Sequence, residues 1–362
     1  MKKCVECRKE ILNVEPYQPG RPIADVKREY GLDEVVKLAS NENPLGSSPK
    51  VIEKIKDSLD QLAIYPDGAC LELKKAISDT YGVPEDMIAV SSGSDEIIDL
   101  ISKVFIDPED EVIMASVTFI RYQDTANLFG GKPVIVPLKE WRHDLDGMLN
   151  SITDRTKLIW VCNPNNPTGT MITEKELTDF LDKVPEDVLV VYDEAYAEYA
   201  ESDEYPKESW KLLDKYKNLM ILKTFSKAYG LAAFRVGYSF ASPEIVSYIN
   251  RARGPFNVNS LGQLAGIEAL KDQDFIKKVY ENNIKGKYYI YEEFDKMGIE
   301  YLKSETNHIF FKVDRNAKDV FVELQKRGVI IRPILENHLR VSIGTMEENK
   351  LFIEKLKEVL GK

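Results

Sequence analysis

Short apolar runs punctuate the middle of the chain at residues 87–90, 112–115, 134–136, 158–161, 188–192 and 219–222. Several are continuous rather than alternating, the pattern of strands buried on both faces of a parallel sheet. Between them lie amphipathic stretches with helical spacing, such as 96–105 and 174–181. This strand–helix rhythm predicts a doubly wound α/β unit with a mostly parallel sheet. Upstream, Val51, Ile52, Ile55, Leu59 and Leu62 recur at helical spacing, so a helix precedes that unit. Beyond about residue 250 the pattern changes. A long charged helix is predicted over 274–296, then a strand at 309–313, a helix over 319–327, short strands at 329–331 and 339–343, and a final helix over 347–360. That order predicts a smaller α+β unit. With 362 residues, too many for one ordinary core, the expected division is an N-terminal segment 1–48, a large domain 49–250 and a small C-terminal domain 251–362.

Composition narrows the function. A chain that is 43% hydrophobic and 30% charged is that of a soluble globular protein. Its net charge of −11 argues against nucleic-acid binding, while leaving room for a local basic pocket. No apolar run approaches the roughly 20 residues that span a bilayer. The stretch from Met1 to Cys7 lacks the apolar core of a signal peptide, so a cytoplasmic enzyme with no membrane partner is expected. Cys4 and Cys7 form one CxxC pair with no second, and His143, His308 and His338 form no ligand-spaced cluster. No metal site is expected from these, and Cys70 and Cys162 read as packing residues.

The densest chemistry lies in Thr224-Phe225-Ser226-Lys227-Ala228-Tyr229-Gly230, followed by Arg235. A lysine just past a buried strand, flanked by hydroxyls and an arginine, suits a phosphorylated aldehyde cofactor held as a covalent imine. Such a lysine needs lowered basicity so that its free amine is available near neutrality. Asp193 closes the run 188–192, where α/β sheets bind ligands beyond the carboxyl ends of their strands. A carboxylate there can keep a cofactor ring nitrogen protonated. Ser91-Ser92-Gly93-Ser94-Asp95-Glu96 joins a strand to a helix. Gly93 allows a tight turn, and the N–H groups of Ser94 and Asp95 at the helix start suit a phosphate. Arg340, in a predicted strand, suits an α-carboxylate through two parallel hydrogen bonds.

Taken with Asn163-Pro164-Asn165-Asn166-Pro167-Thr168-Gly169 and Asp193-Glu194-Ala195-Tyr196, these blocks resemble the pyridoxal-phosphate aminotransferases of fold type I, across nearly the whole chain. The blocks at 41–46, 65–68 and 255–259 resemble the histidinol-phosphate branch of that family. The resemblance implies pyridoxal 5'-phosphate as cofactor, with Lys227 as the imine lysine and proton carrier and Asp193 at the ring nitrogen. Asn166 and Tyr196 fall at the ring hydroxyl, Phe119 on the ring face, and Ser94, Asp95, Thr224, Ser226 and Arg235 at the phosphate. Tyr65 matches a residue that reaches the phosphate of a neighbouring subunit, which implies a homodimer with shared active sites. The N-terminal segment is implied to pack on the small domain and over the site.

On the substrate side, the resemblance assigns Arg340 to the α-carboxylate and Arg332, Tyr17 and Asn43 to substrate binding. The implied reaction is the exchange of an amino group between histidinol phosphate and 2-oxoglutarate in histidine biosynthesis. Relatives acting on aromatic amino acids carry similar blocks, and a threonine-phosphate decarboxylase shares the scaffold, so both stay open as alternatives. Three positions depart from the usual pattern: Ala233, the short stretch between Arg332 and Arg340, and Arg121 close after Phe119.

Overall fold

The structure is a computed structural model and describes residues 5–16 and 20–362. Its strands, in chain order among the described residues, are β1 (Val36–Lys37), β2 (Ile88–Ser91), β3 (Glu111–Ala115), β4 (Lys132–Val136), β5 (Thr156–Cys162), β6 (Leu189–Asp193), β7 (Leu219–Thr224), β8 (Gly237–Ala241), β9 (His308–Lys312), β10 (Val329–Ile330), β11 (Arg332–Leu335) and β12 (His338–Ser342). Strands β2 to β8 form one seven-stranded sheet in the order β2-β8-β7-β6-β5-β3-β4. The pairs from β7 across to β4 are parallel. Strand β8 alone runs antiparallel to both neighbours.

The apolar runs are continuous because both faces of this sheet are covered. Ile159, Val161, Val190, Tyr192 and Ile221 belong to the core on one face. Leu158, Trp160, Cys162, Val191, Met220 and Leu222 belong to the core on the other. Strand β8 has no such run, reading Gly-Tyr-Ser-Phe-Ala, yet it is buried throughout. The helix Ser260–Lys271 packs on the helices Pro49–Lys56 and Leu71–Tyr81. Val258, Ala265, Ala269 and Leu270 accordingly lie in the large core, beyond the expected boundary at residue 250.

A second core lies between the sheet β11-β12-β9 and the helices Gln273–Met297 and Met346–Leu360. Ile309, Phe311, Leu339 and Val341 point into it. The alternate residues Phe310 and Arg340 pair across the opposite face. Near the N-terminus, β1 pairs in parallel with β10, and Val36 and Leu38 join the second core. The earlier turn Lys9–Asn13 packs instead on the helix Arg121–Phe129. Cys7 is exposed, Cys70 and Cys162 are buried, and all three are free; Cys4 and Tyr17 lie outside the described residues. Among the described residues no helix is long and apolar enough to cross a membrane.

Candidate active site

The carboxyl ends of β5, β6 and β7 place Cys162, Asp193 and Thr224 along one edge of the large sheet. Cys162 sits directly beside Asp193 in the ladder. These ends open into a cavity of about 730 Å³ that reaches across to the small sheet. Ser94, Asp95, Phe119, Asn166, Asp193, Tyr196, Thr224, Ser226, Lys227, Arg235, Arg332 and Arg340 all line it, so residues spread over 246 positions meet in one place (340 − 94). Asn43 is not among the lining residues. Its amide donates to Ala228 O at 2.9 Å, and its carbonyl accepts from Leu45 N–H at 2.9 Å, fastening a turn. Tyr65 is 79% exposed and stacks on Phe256 at 4.8 Å, outside the cavity.

Lys227 sends its amine into the cavity, where Nζ donates to Ser40 O at 3.0 Å. Desolvation lowers its pKa to about 8, and the nearby Arg340 guanidinium works in the same direction. Asp193 is 4% exposed. Burial raises its pKa, opposed by Tyr122 O–H donating to Oδ2 at 2.6 Å and Ala195 N–H donating to Oδ1 at 3.1 Å. Tyr122 is held flat against Trp160, with centroids 4.4 Å apart and planes at 7°. Burial drives its own pKa upward, so it remains a neutral donor.

A strap of three residues leads from β1 past the mouth of the cavity, each touching a different site residue. Ala39 O accepts from Arg340 Nη2 at 2.6 Å. Ser40 O takes the Lys227 amine. Asn41 Nδ2 donates to Tyr196 O–H at 2.8 Å. Arg340 Nη1 also donates to Asn166 Oδ1 at 2.6 Å, joining the small sheet to the loop after β5. Arg332 lies opposite Arg340 in the β11–β12 ladder, so both guanidinium groups start from the same face.

At the other end of the cavity the helix Ser94–Phe105 begins after Gly93, whose φ is +78°. A Cβ at Gly93 would stand 2.5 Å from Arg235 Nη2, so only glycine leaves that guanidinium its place. Thr224 Oγ1 accepts from Ser226 N–H at 3.1 Å, and Arg235 Nη1 approaches Ser226 Oγ at 3.5 Å. A helix start, an arginine and two hydroxyls form a donor set suited to a phosphate dianion. The Asp95 side chain is drawn aside by Arg121, which pairs with Asp95 at 3.0 Å and Asp99 at 2.8 Å. Among the described residues no group of three or more His, Cys, Asp or Glu could hold a metal.

Tyr122, Ala39 and Ser40 were not among the residues singled out from the sequence, and Asn41 entered only as the first residue of the block 41–46. Tyr122 stands three residues after Phe119, one helical turn on, and its ring meets Phe119 edge-on at 5.7 Å. Its spacing was therefore visible, but its partner Asp193 lies 71 positions away. The strap carried no side-chain signal at Ala39 and Ser40, because both act through their carbonyls.

Residues 33–356 match the family described as aminotransferase class I and II. The histidinol-phosphate aminotransferase of Moorella thermoacetica is 44% identical over 98% of this chain and 93% of its own length. That of Caldicellulosiruptor saccharolyticus is 46% identical over 98% of this chain and 99% of its own. Among solved structures, histidinol-phosphate aminotransferase from Sinorhizobium meliloti in complex with pyridoxal-5'-phosphate superposes with a TM-score of 0.91 at 26% identity, covering 99% of both chains. Thermus thermophilus aspartate aminotransferase with maleate, 21% identical, shares the fold with a TM-score of 0.83. With this sheet and these residues around one cavity, the chain belongs to the class I and II aminotransferases.

Proposed function

We propose that this aminotransferase uses pyridoxal 5'-phosphate to move an amino group between histidinol phosphate and 2-oxoglutarate, in histidine biosynthesis, as a cytoplasmic homodimer. The observation that carries the proposal is a buried lysine amine, lowered to about 8, in the same cavity as a buried carboxylate and a paired arginine. The residues fit the cofactor. Lys227 supplies the amine for its aldehyde. Asp193, whose burial favours a shared proton, would pair with the ring nitrogen. Asn166 and Tyr196 supply polar groups for the ring hydroxyl, and Phe119 an aromatic face for the ring. Ser94, Asp95, Thr224, Ser226 and Arg235, which line the same cavity, would hold its phosphate. When bound, the cofactor supplies an electron sink for the substrate's α-carbon.

In this reading Lys227, as its neutral amine, takes and returns the proton at the substrate α-carbon. Tyr122 and Ala195 keep Asp193 oriented. Arg340 grips the α-carboxylate of glutamate or 2-oxoglutarate, and offers the same fork to the phosphate of histidinol phosphate. Like charges directly opposite on adjacent strands are unfavourable, and Arg332 stands opposite Arg340. A phosphate dianion held by both guanidinium groups offsets that repulsion, which supports a phosphate-bearing amine over a plain aromatic amino acid with its single carboxylate. The names of the relatives from Moorella and Caldicellulosiruptor support the same substrate. The dimer is supported by the exposed apolar side chains Leu59, Leu62, Ile64, Tyr65, Leu71 and Phe256. Tyr65 belongs to that surface, as a residue serving a neighbouring site must.

The test is borohydride reduction of the cofactor-loaded protein followed by peptide mass analysis. The cofactor mass is expected on the peptide containing Lys227 and absent after Lys227→Ala. Label on another lysine, or turnover by Lys227→Ala, overturns the assignment.

A further inference from the structure

The first two turns of the helix Ser94–Phe105 carry Asp95, Glu96 and Asp99. Asp124 faces them from the helix Arg121–Phe129, close enough to feel both Arg121 and Asp95. This is an awkward setting for a dianion: carboxylates crowd the helix end that has the donors. The structure handles each one differently. Glu96 Oε2 accepts from Ser92 N–H at 2.5 Å and from Asn257 Nδ2 at 2.7 Å, so it is spent on the turn itself. Asp95 and Asp99 share a single cation, Arg121, through Nε at 3.0 Å and Nη2 at 2.8 Å. Arg121 is held for this task, with its side chain only 21% exposed at the cavity wall. Arg235, the other guanidinium at this end, leans over Gly93 and donates to Ala232 O at 3.0 Å.

We propose that Arg121 is a positioning residue for the cofactor phosphate: by pairing with Asp95 and Asp99 it offsets one of their two charges and turns the Asp95 carboxylate away from the anion. This rests on the reading of that cavity end as a phosphate site. Arg121 acts through the two aspartates, and no contact of its own with the phosphate is required. Without it, two carboxylates remain beside the helix start, one of them on a residue whose own N–H faces the anion. The cost falls on ligands that carry a phosphate and spares those that do not.

The experiment measures dissociation constants of apoprotein for pyridoxal 5'-phosphate and for pyridoxal, which lacks the phosphate, by fluorescence titration. The proteins are wild type, Arg121→Gln, and the double variant Arg121→Gln/Asp95→Asn. Wild type is expected to prefer the phosphorylated form strongly; absence of that preference defeats the phosphate site itself. Arg121→Gln is expected to weaken pyridoxal 5'-phosphate about tenfold, the scale of one nearby charge at partial burial. Pyridoxal is expected to stay within about twofold of wild type on the same reasoning. The double variant is expected to recover most of the loss, since it removes the charge that Arg121 offset. Equal loss for both ligands, accompanied by a lower melting temperature, makes Arg121 a mere tie between two helices and overturns the proposal. So does a wild-type affinity in Arg121→Gln, or a double variant no better than the single.

Discussion

Tyr122→Phe removes one oxygen atom from a buried contact and leaves the packing in place. The hydroxyl donates to Asp193 Oδ2 at 2.6 Å, while the ring lies on Trp160 at 4.4 Å and meets Phe119 at 5.7 Å. Phenylalanine keeps both ring contacts. A hydrogen bond to a charged group contributes about 1.5–3 kcal/mol. At roughly 1.4 kcal/mol per decade, kcat/KM is expected to fall about 10- to 150-fold. The direction follows from the site: Tyr122 O–H favours the carboxylate form of Asp193 against the effect of burial. Without it Asp193 takes up a proton more readily and keeps only the Ala195 N–H to orient it. Stability carries a matching signature in the apoprotein. For an acid whose folded pKa is raised, the contribution to stability is present at low pH and lost as pH rises through the folded value. Tyr122→Phe enlarges that loss, so the variant should be weakened more at neutral pH than in acid. The assays are steady-state kinetics with saturating cofactor and urea unfolding of apoprotein at two pH values. Activity within about twofold of wild type, well below one hydrogen bond to a charge, would refute the reasoning. A second check is Tyr122→Phe in an Asp193→Asn background, where little further loss is expected because the two groups act as one unit.

Capture of cofactor by apoprotein should speed up as pH rises, with a midpoint near the lowered Lys227 value of about 8, because the free amine is the reacting form. The same depressed base makes apoprotein lose stability as pH falls from the ordinary lysine value of 10.5 to about 8, with little further change below, measured by thermal unfolding over that range. Arg340→Lys keeps the charge but cannot hold both Asn166 Oδ1 and Ala39 O in the forked geometry seen at 2.6 Å each. KM for the amino substrate should rise about 10- to 100-fold, the scale of one or two charge-assisted hydrogen bonds, with a smaller change in kcat.

Much of the large sheet was legible because its strands are apolar on both faces, as in β5 and β6. Strand β8 was not. Gly237 and Ser239 break the apolar run, and only its place between β2 and β7 explains its burial. Strand β11 was missed for a different reason. It contains Pro333 and lies at the edge of its sheet, where a missing N–H is tolerated. Helix starts were read a residue or two late where polar caps govern them. Thr345 and Glu348 form a capping box that begins the last helix at Met346.

The site divided along similar lines. Residues in contiguous blocks, such as Ser226, Lys227 and Arg235, were visible because their spacing is local. Residues that act through the backbone, or through a partner far along the chain, were not. Ser40 works by its carbonyl. Asn41, with φ of 55°, owes its reach toward Tyr196 to the pairing of β1 with β10 and to its own N–H donating to Ser342 Oγ at 2.9 Å. Arg121 looked like a departure in the pocket wall until its two aspartates were seen beside it.

The central claim, an aminotransferase acting on a phosphate-bearing amine, is tested most directly by a half-reaction. Cofactor-loaded protein is mixed, without any keto acid, with histidinol phosphate, phenylalanine or threonine phosphate in separate cuvettes, and the bound cofactor's absorbance is followed. The account predicts rapid conversion to the amino form by histidinol phosphate and slow conversion by phenylalanine. Equal or faster conversion by phenylalanine would contradict the substrate. Carbon dioxide release from threonine phosphate, with the aldehyde form left intact, would contradict transamination while leaving the cofactor site standing.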